Sequence, residues 1–233
     1  MSQPNTPTIT RAGQHATSIA LFVGLAAFIV IADLCYKAWS FRNVAGQALL
    51  LSRDAEDGST VVQIRGSDGA LEALPRSRPG EPASAIPPHE GMVVVSHLLQ
   101  LKLTINTGAV FGIGKGAQWF FAAVSVIAAA VIGVVFYRSA ATSKVLHICL
   151  ALILGGALGN LYDRLLYNGV RDMCHLFPGV RLPFGWSWPG GSDELYPWIF
   201  NIADAALVVG VILLLIISWR ADKRPPKDQS APG

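Results

Sequence analysis

The sequence predicts an all-α membrane protein, a four-transmembrane-helix bundle with a small β-containing subdomain outside the cytoplasm. Three observations predict it. Hydrophobic residues make up 52% of the 233 and charged residues only 14%, against about 25% charged in a soluble globular domain. Four windows are apolar over the roughly 17–25 residues that a bilayer requires. The formal net charge of +3 is too small, and its basic residues too dispersed, for a nucleic-acid-binding stripe.

The elements follow in order. Residues 1–15 are an N-terminal tail ending before the first span, 16–38, which is uncharged from Ala16 to Ala32. That run exceeds the roughly 7–15 residues of a signal-peptide core, and no A-x-A pattern follows it, so it is expected to stay as a helix. Residues 39–116 form a long loop. Within it, VVQIR (61–65) and MVVVSHLLQLKLTIN (92–106) carry β-branched and alternating residues that predict short strands. Five prolines in 75–90 predict an irregular extension. The second span, 117–137, has no charge at all. A short link, 138–144, leads to the third span, 145–166. A second loop, 167–194, leads to the fourth span, 195–219, and residues 220–233 are a tail. All four spans should be helices, because lipid offers backbone groups no partner outside their own segment.

Lysines and arginines in short connections set orientation. Arg138 and Lys144 flank the link between spans two and three, Arg220, Lys223, Arg224 and Lys227 lie in the tail, and Arg11 precedes span one. These three segments share one side of a four-span protein. Both termini are therefore expected in the cytoplasm, with the two long loops outside. The three cysteines, Cys35, Cys149 and Cys174, are an odd count that gives no disulfide framework. Cys174 beside His175 has no second pair at zinc spacing, so no metal site is expected.

The costly residues cluster. Asp33 and Lys37, then Asn160, Asp163 and Arg164, then Asn201 and Asp204, stand at the same outer ends of spans one, three and four. Spacings of three and four put each group on one helix face. A membrane-embedded acid costs about 2.5–3.5 kcal/mol on insertion scales. Plain readings exist: an intrahelical ion pair for Asp33 with Lys37, a helix-end pair for Asp163 with Arg164, an interhelical hydrogen bond for Asn201, and close packing for Gly155 and Gly159. Asp204 resists such a reading, having no lysine or arginine within a turn. Asp172, in NGVRDMCHLF after span three, lies on the same side. If Asp172 and Asp204 meet, repulsion raises one pKa and the pair shares a proton. One carboxylate can then act as base on water while the other donates to a carbonyl, which is peptide hydrolysis by the aspartic route.

Five ordered segments carry a resemblance: DLCYK (33–37), NTGAVFGI (106–113), GGALGNLYDRL (155–165), GVRDM (169–173) and FNIADAAL (200–207). Together they resemble the bacterial signal peptidase II family, the lipoprotein signal peptidases. The resemblance implies an intramembrane aspartic endopeptidase with Asp172 and Asp204 as catalytic residues. It implies that Asn106, Gly108, Asn160, Arg164 and Asn201 position the substrate or hold the dyad, with Asp33, Lys37 and Asp163 in support. The implied substrate is a prolipoprotein carrying diacylglycerol on its cysteine, cut on the amino side of that residue. No metal or organic cofactor is implied. The implied setting is the bacterial inner membrane, a monomer among membrane lipids with the active site at the outer leaflet. Arg171 departs from the family pattern, where an apolar residue is usual, and a guanidinium turned inward there would lower the pKa of Asp172. Met173 and Val110 depart as well, and both long loops exceed the usual length. The competing readings are a proton-coupled transporter, which predicts acids spread through membrane depth and internal repeats, and a structural scaffold.

Overall fold

The computed structural model describes residues 10–54, 60–66, 68–74, 86–108 and 118–222. Among these, four helices are long and apolar enough to cross a membrane: α1 (Ala16–Asn43), α2 (Gln118–Arg138), α3 (Lys144–Tyr167) and α4 (Ile202–Asp222). Helix α3 is central. Of its apolar window 56% is buried, against 17–22% in the others, whose outer faces expose Phe28, Ile31, Phe120, Ile127 and Leu215. Side chains of that kind face lipid without penalty.

Small residues set the helix spacing. A Cβ on Gly155 would stand 2.8 Å from the Ile29 Cβ of α1, and one on Gly159 2.7 Å from Asp33 Oδ2. On its other side α3 meets α4, where a Cβ on Gly210 would lie 3.0 Å from the Cys149 carbonyl. With lipid outside, close van der Waals approach of this kind is what holds membrane helices together. Gly155 and Gly159 are thus packing residues. These contacts run α1 parallel to α3 and α4 antiparallel to it.

The expected all-α class is too narrow, because the connections at one end of the bundle build two sheets. Strands β1 (Leu49–Arg53), β2 (Thr60–Arg65) and β3 (Leu71–Ala73) form an antiparallel three-stranded sheet. Strands β4 (Met92–Val95), β5 (Leu99–Asn106), β6 (Val170–Leu176) and β7 (Ile199–Phe200) form a four-stranded one in that order. The proline-rich expectation for 75–90 falls largely outside the described residues, as does Val110. The first sheet is fastened to α3 at its C-terminal end. Arg53 Nη1 donates to the Leu165 carbonyl at 3.2 Å, and the Thr60 hydroxyl donates to the Tyr167 carbonyl, two of the acceptors that a helix terminus leaves unpaired.

Two helix boundaries position the site. Helix α3 ends on Asn168, which takes the left-handed conformation (φ 57°) that asparagine tolerates at a C-terminal turn, and the chain reverses into β6. Helix α4 begins at Ile202, not near Leu195 as the apolar run suggests. Pro197 disfavours helix at the residue before it, and the segment ahead of Asn201 pairs as β7. The start is set by a reciprocal cap: Asp204 N–H donates to Asn201 Oδ1 at 2.9 Å, and Asn201 N–H to Asp204 Oδ2 at 3.3 Å, a capping-box arrangement.

The interior has three layers along α1. Phe22 and Ala26 pack with Ile132, Phe136, Leu150 and Ala151 at the end away from the sheets. Phe41 and Val44 pack with Leu49, Val62, Leu101, Leu103, Ile105 and Met173 beneath the sheets. Between the two lie Asp33 and Lys37, both fully buried.

Candidate active site

That middle layer is a polar network drawn from three helices and one strand. Lys37 Nζ meets Asp33 Oδ2 at 2.7 Å, Asp163 Oδ2 at 3.2 Å and Asn160 Oδ1 at 3.2 Å. Asp33 Oδ1 accepts from the Ala203 N–H at 2.9 Å, so α1 holds the first turn of α4. The i, i+4 pair Asp33–Lys37 is present, but it reaches well beyond its own helix.

Two asparagines carry the network to the two outer acids. Asn160 Nδ2 donates to Asp204 Oδ1 at 2.7 Å, and Asn201 Nδ2 donates to Asp172 Oδ1 at 2.6 Å. The asparagines are joined to each other, Asn201 Nδ2 standing 3.0 Å from Asn160 Oδ1. Each acid therefore takes an amide donor from the neighbouring element. Asp172 is buried and Asp204 half-buried. The Asp172 Oδ2 atom is buried without a hydrogen-bond partner among the described residues. Burial first, and then the charge of Asp204, push the Asp172 carboxyl well above its ordinary range, while the Asn201 hydrogen bond, Lys37 and the Asn106 amide pull the other way. A carboxyl so placed favours its protonated form.

The remaining candidates surround this pair. Asn106 ends β5, two residues beyond Thr104, which pairs with Asp172 across the sheet. Its Oδ1 accepts from the Gly108 N–H at 3.0 Å. Arg164 is half-buried, its guanidinium 5.5 Å from the Phe121 ring and within electrostatic range of Asp204, Asp172 and Asp163.

Arg171 does not turn toward Asp172. Successive side chains of a strand point to opposite faces, and the guanidinium goes to Asp163, with Nη2 at 2.8 Å and Nε at 3.2 Å from Oδ1. The same alternation separates Cys174 from His175, whose Nε2 faces Glu194 Oε2 at 3.2 Å. Burial and the Asp172 charge push the Cys174 thiol up to about 11, which makes it a poor thiolate ligand. Met173 fills the core beneath the sheets. Sequence reasoning missed the joining of Arg171 to Asp163 and the mutual cap of Asn201 and Asp204. The N-x-x-D spacing before an apolar run was the available signal for the second.

The model of the family Signal peptidase (SPase) II matches residues 81–220, which take in the strands β4–β7, α2, α3 and nearly all of α4. A "Lipoprotein signal peptidase" of Methylobacterium radiotolerans is 41% identical over 131 residues, 54% of this chain and 66% of that protein. Those of Anoxybacillus flavithermus (34% over 137 residues, 58% and 72%) and Shouchella clausii (38% over 138 residues, 58% and 80%) are similar in the same way. The chain thus spans about two thirds or more of these relatives. Two solved structures, each described as a bacterial membrane enzyme, share the fold. One has a TM-score of 0.58 at 22% identity, covering 91% of this chain and 96% of that one. The other has 0.54 at 24%, covering 86% and 93%. With the family model matching well over half the chain and the helices able to cross a bilayer, this multi-pass membrane protein belongs to the signal peptidase II family.

Proposed function

We propose that the chain is an intramembrane aspartic endopeptidase that removes the signal peptide from diacylglyceryl-modified prolipoproteins, cutting on the amino side of the lipidated cysteine. The observation that carries this reading is the paired holding of two acids: Asp172 by Asn201 and Asp204 by Asn160, with the asparagines bonded to each other. Asp172 and Asp204 are the catalytic residues. Asp172, whose burial favours the neutral form, starts with the proton, and Asp204 is the base.

Water attacks the scissile carbonyl carbon and gives a proton to Asp204, while Asp172 gives its own to the carbonyl oxygen. The resulting gem-diol returns a proton to Asp172 as the C–N bond breaks. The leaving nitrogen takes the proton held by Asp204. Both acids finish as they began, and carboxylates do the general acid and base work.

The remaining assignments accompany this chemistry. Asn160 and Asn201 hold the dyad. Asn106, Gly108 and Arg164 position the substrate, and Asp33, Lys37 and Asp163 support the asparagines. Both termini lie in the cytoplasm on the positive-inside rule, because Arg138, Lys144 and Arg220 share the end opposite the sheets and Arg11 pairs there with Ala140. The two sheets and the dyad then lie at the outer leaflet, where a signal-peptide helix ends and its cysteine-borne lipid can stay in the bilayer.

The test is direct. Asp172→Asn and Asp204→Asn, each purified and folded, should leave a diacylglyceryl-modified precursor uncut in proteoliposomes that the parent protein processes fully. Normal cleavage by either variant would overturn the dyad. Equal cleavage of a precursor without lipid would overturn the substrate assignment.

A further inference from the structure

We infer that Arg171 is a positioning residue for the dyad, balancing the buried acid Asp163 so that Lys37 stays on Asn160 and Asn160 keeps its amide on Asp204; the inference rests on the dyad reading above. Asp33, Lys37 and Asp163 are all fully buried, and on the helices a single ammonium contacts both carboxylates. Two buried acids against one cation leave an uncompensated charge, which low dielectric makes expensive. Arg171, itself 6% exposed, completes the balance with two nitrogens on Asp163. Its guanidinium also lies 4.7 Å from the Tyr167 ring centroid and 6.0 Å from that of Phe41, so it is held in place on its other sides.

The orientation of Asn160 is the link to chemistry. Its Oδ1 accepts from Lys37 and from Asn201, which leaves Nδ2 free to donate to Asp204. Without Arg171, Asp163 would compete for Lys37 and draw it from Asn160. The amide would then lose one of the two contacts that fix its orientation, and Asp204 its side-chain donor. The backbone of Arg171 adds a second tie beside Asp172. Its N–H donates to Asp163 Oδ2 at 3.0 Å, which fastens the strand next to Asp172 to the same acid.

The experiment measures steady-state cleavage of a diacylglyceryl-modified precursor by the full chain in proteoliposomes. Arg171→Met should lower kcat about tenfold to a hundredfold, the scale of a misplaced reacting group, with KM nearly unchanged. Arg171→Lys, which keeps charge but not the two-pronged contact, should fall between. Arg171→Met combined with Asp163→Asn removes acid and cation together and should give a higher kcat than Arg171→Met, a comparison that holds even where Arg171→Met alone folds poorly. Full activity in Arg171→Met, a change confined to KM, or no recovery in the double variant overturns the inference. Asp172→Asn, assayed alongside, separates the two ideas: its activity would defeat the dyad reading, whereas its inactivity beside an active Arg171→Met defeats only the role of Arg171.

Discussion

Asn160 of α3 reaches across to α4 and donates its side-chain amide to Asp204 at 2.7 Å. The acid is at once a capping residue of its own helix and the acceptor of a neighbour's amide, so its two oxygens are oriented from separate directions. Removing the donor while keeping the helices should therefore affect turnover more than assembly. Asn160→Ala should lower kcat by about 10²-fold with little change in KM for a lipidated precursor. Asn160→Asp should be worse still, since it sets a third carboxylate beside Asp204. Equal kcat in Asn160→Ala and the parent protein would show that the contact has no part in the reaction.

The Asp172 carboxyl has a folded-state pKa above its ordinary value. Its contribution to stability is thus fully present below the ordinary carboxylate range and is lost as pH rises through the raised value. Asp172→Asn, neutral at every pH, escapes that loss. In detergent the variant should melt at a higher temperature than the parent near neutral pH, and the gap should close on acidification. A gap that widens toward acid would mean that the folded protein favours the ionised Asp172 carboxylate, the opposite sign.

Lys37 is the sole cation touching Asp33 among the described residues. Lys37→Met should cost about 3–5 kcal/mol, the usual loss when one member of a buried pair is removed. Adding Asp33→Asn should return part of that stability. Thermal unfolding of the single and double variants in one detergent reads the difference.

Gly159 faces Asp33 and Ala203, and a Cβ would lie 2.7 Å from Asp33 Oδ2 and 3.2 Å from the Ala203 Cβ. Gly159→Ala should separate the helices and lower both melting temperature and activity. Gly24→Ala and Gly133→Ala meet nothing within 4 Å. They should be neutral, or stabilising by about 0.5–1 kcal/mol through helix propensity. A destabilised Gly24→Ala beside a tolerant Gly159→Ala would contradict the packing described.

The helices were legible because an apolar run long enough for a bilayer has few other uses. Strands β2, β4 and β5 were legible through β-branched and alternating residues. Strand β6 was not. Its Val170, Arg171, Asp172 and Met173 are all buried, so both faces are covered and no polar–apolar alternation marks it; its partners come from distant β5 and the two-residue β7. The candidate residues could be named because their spacing grouped them at one depth. Which atom meets which could not be read, since Asn160 and Asn201 each serve two directions at once. The pairing of Arg171 with Asp163 depends on a chain reversal at Asn168 that brings β6 back along the end of α3.

The apolar layer of Phe22, Phe136, Leu150 and Ala151 lies beyond the charged layer, toward the far end of the bundle. Its side chains offer neither a counter-charge nor a hydrogen-bond donor, so the charges of Asp33, Lys37, Asp163 and Arg171 must be balanced within their own network.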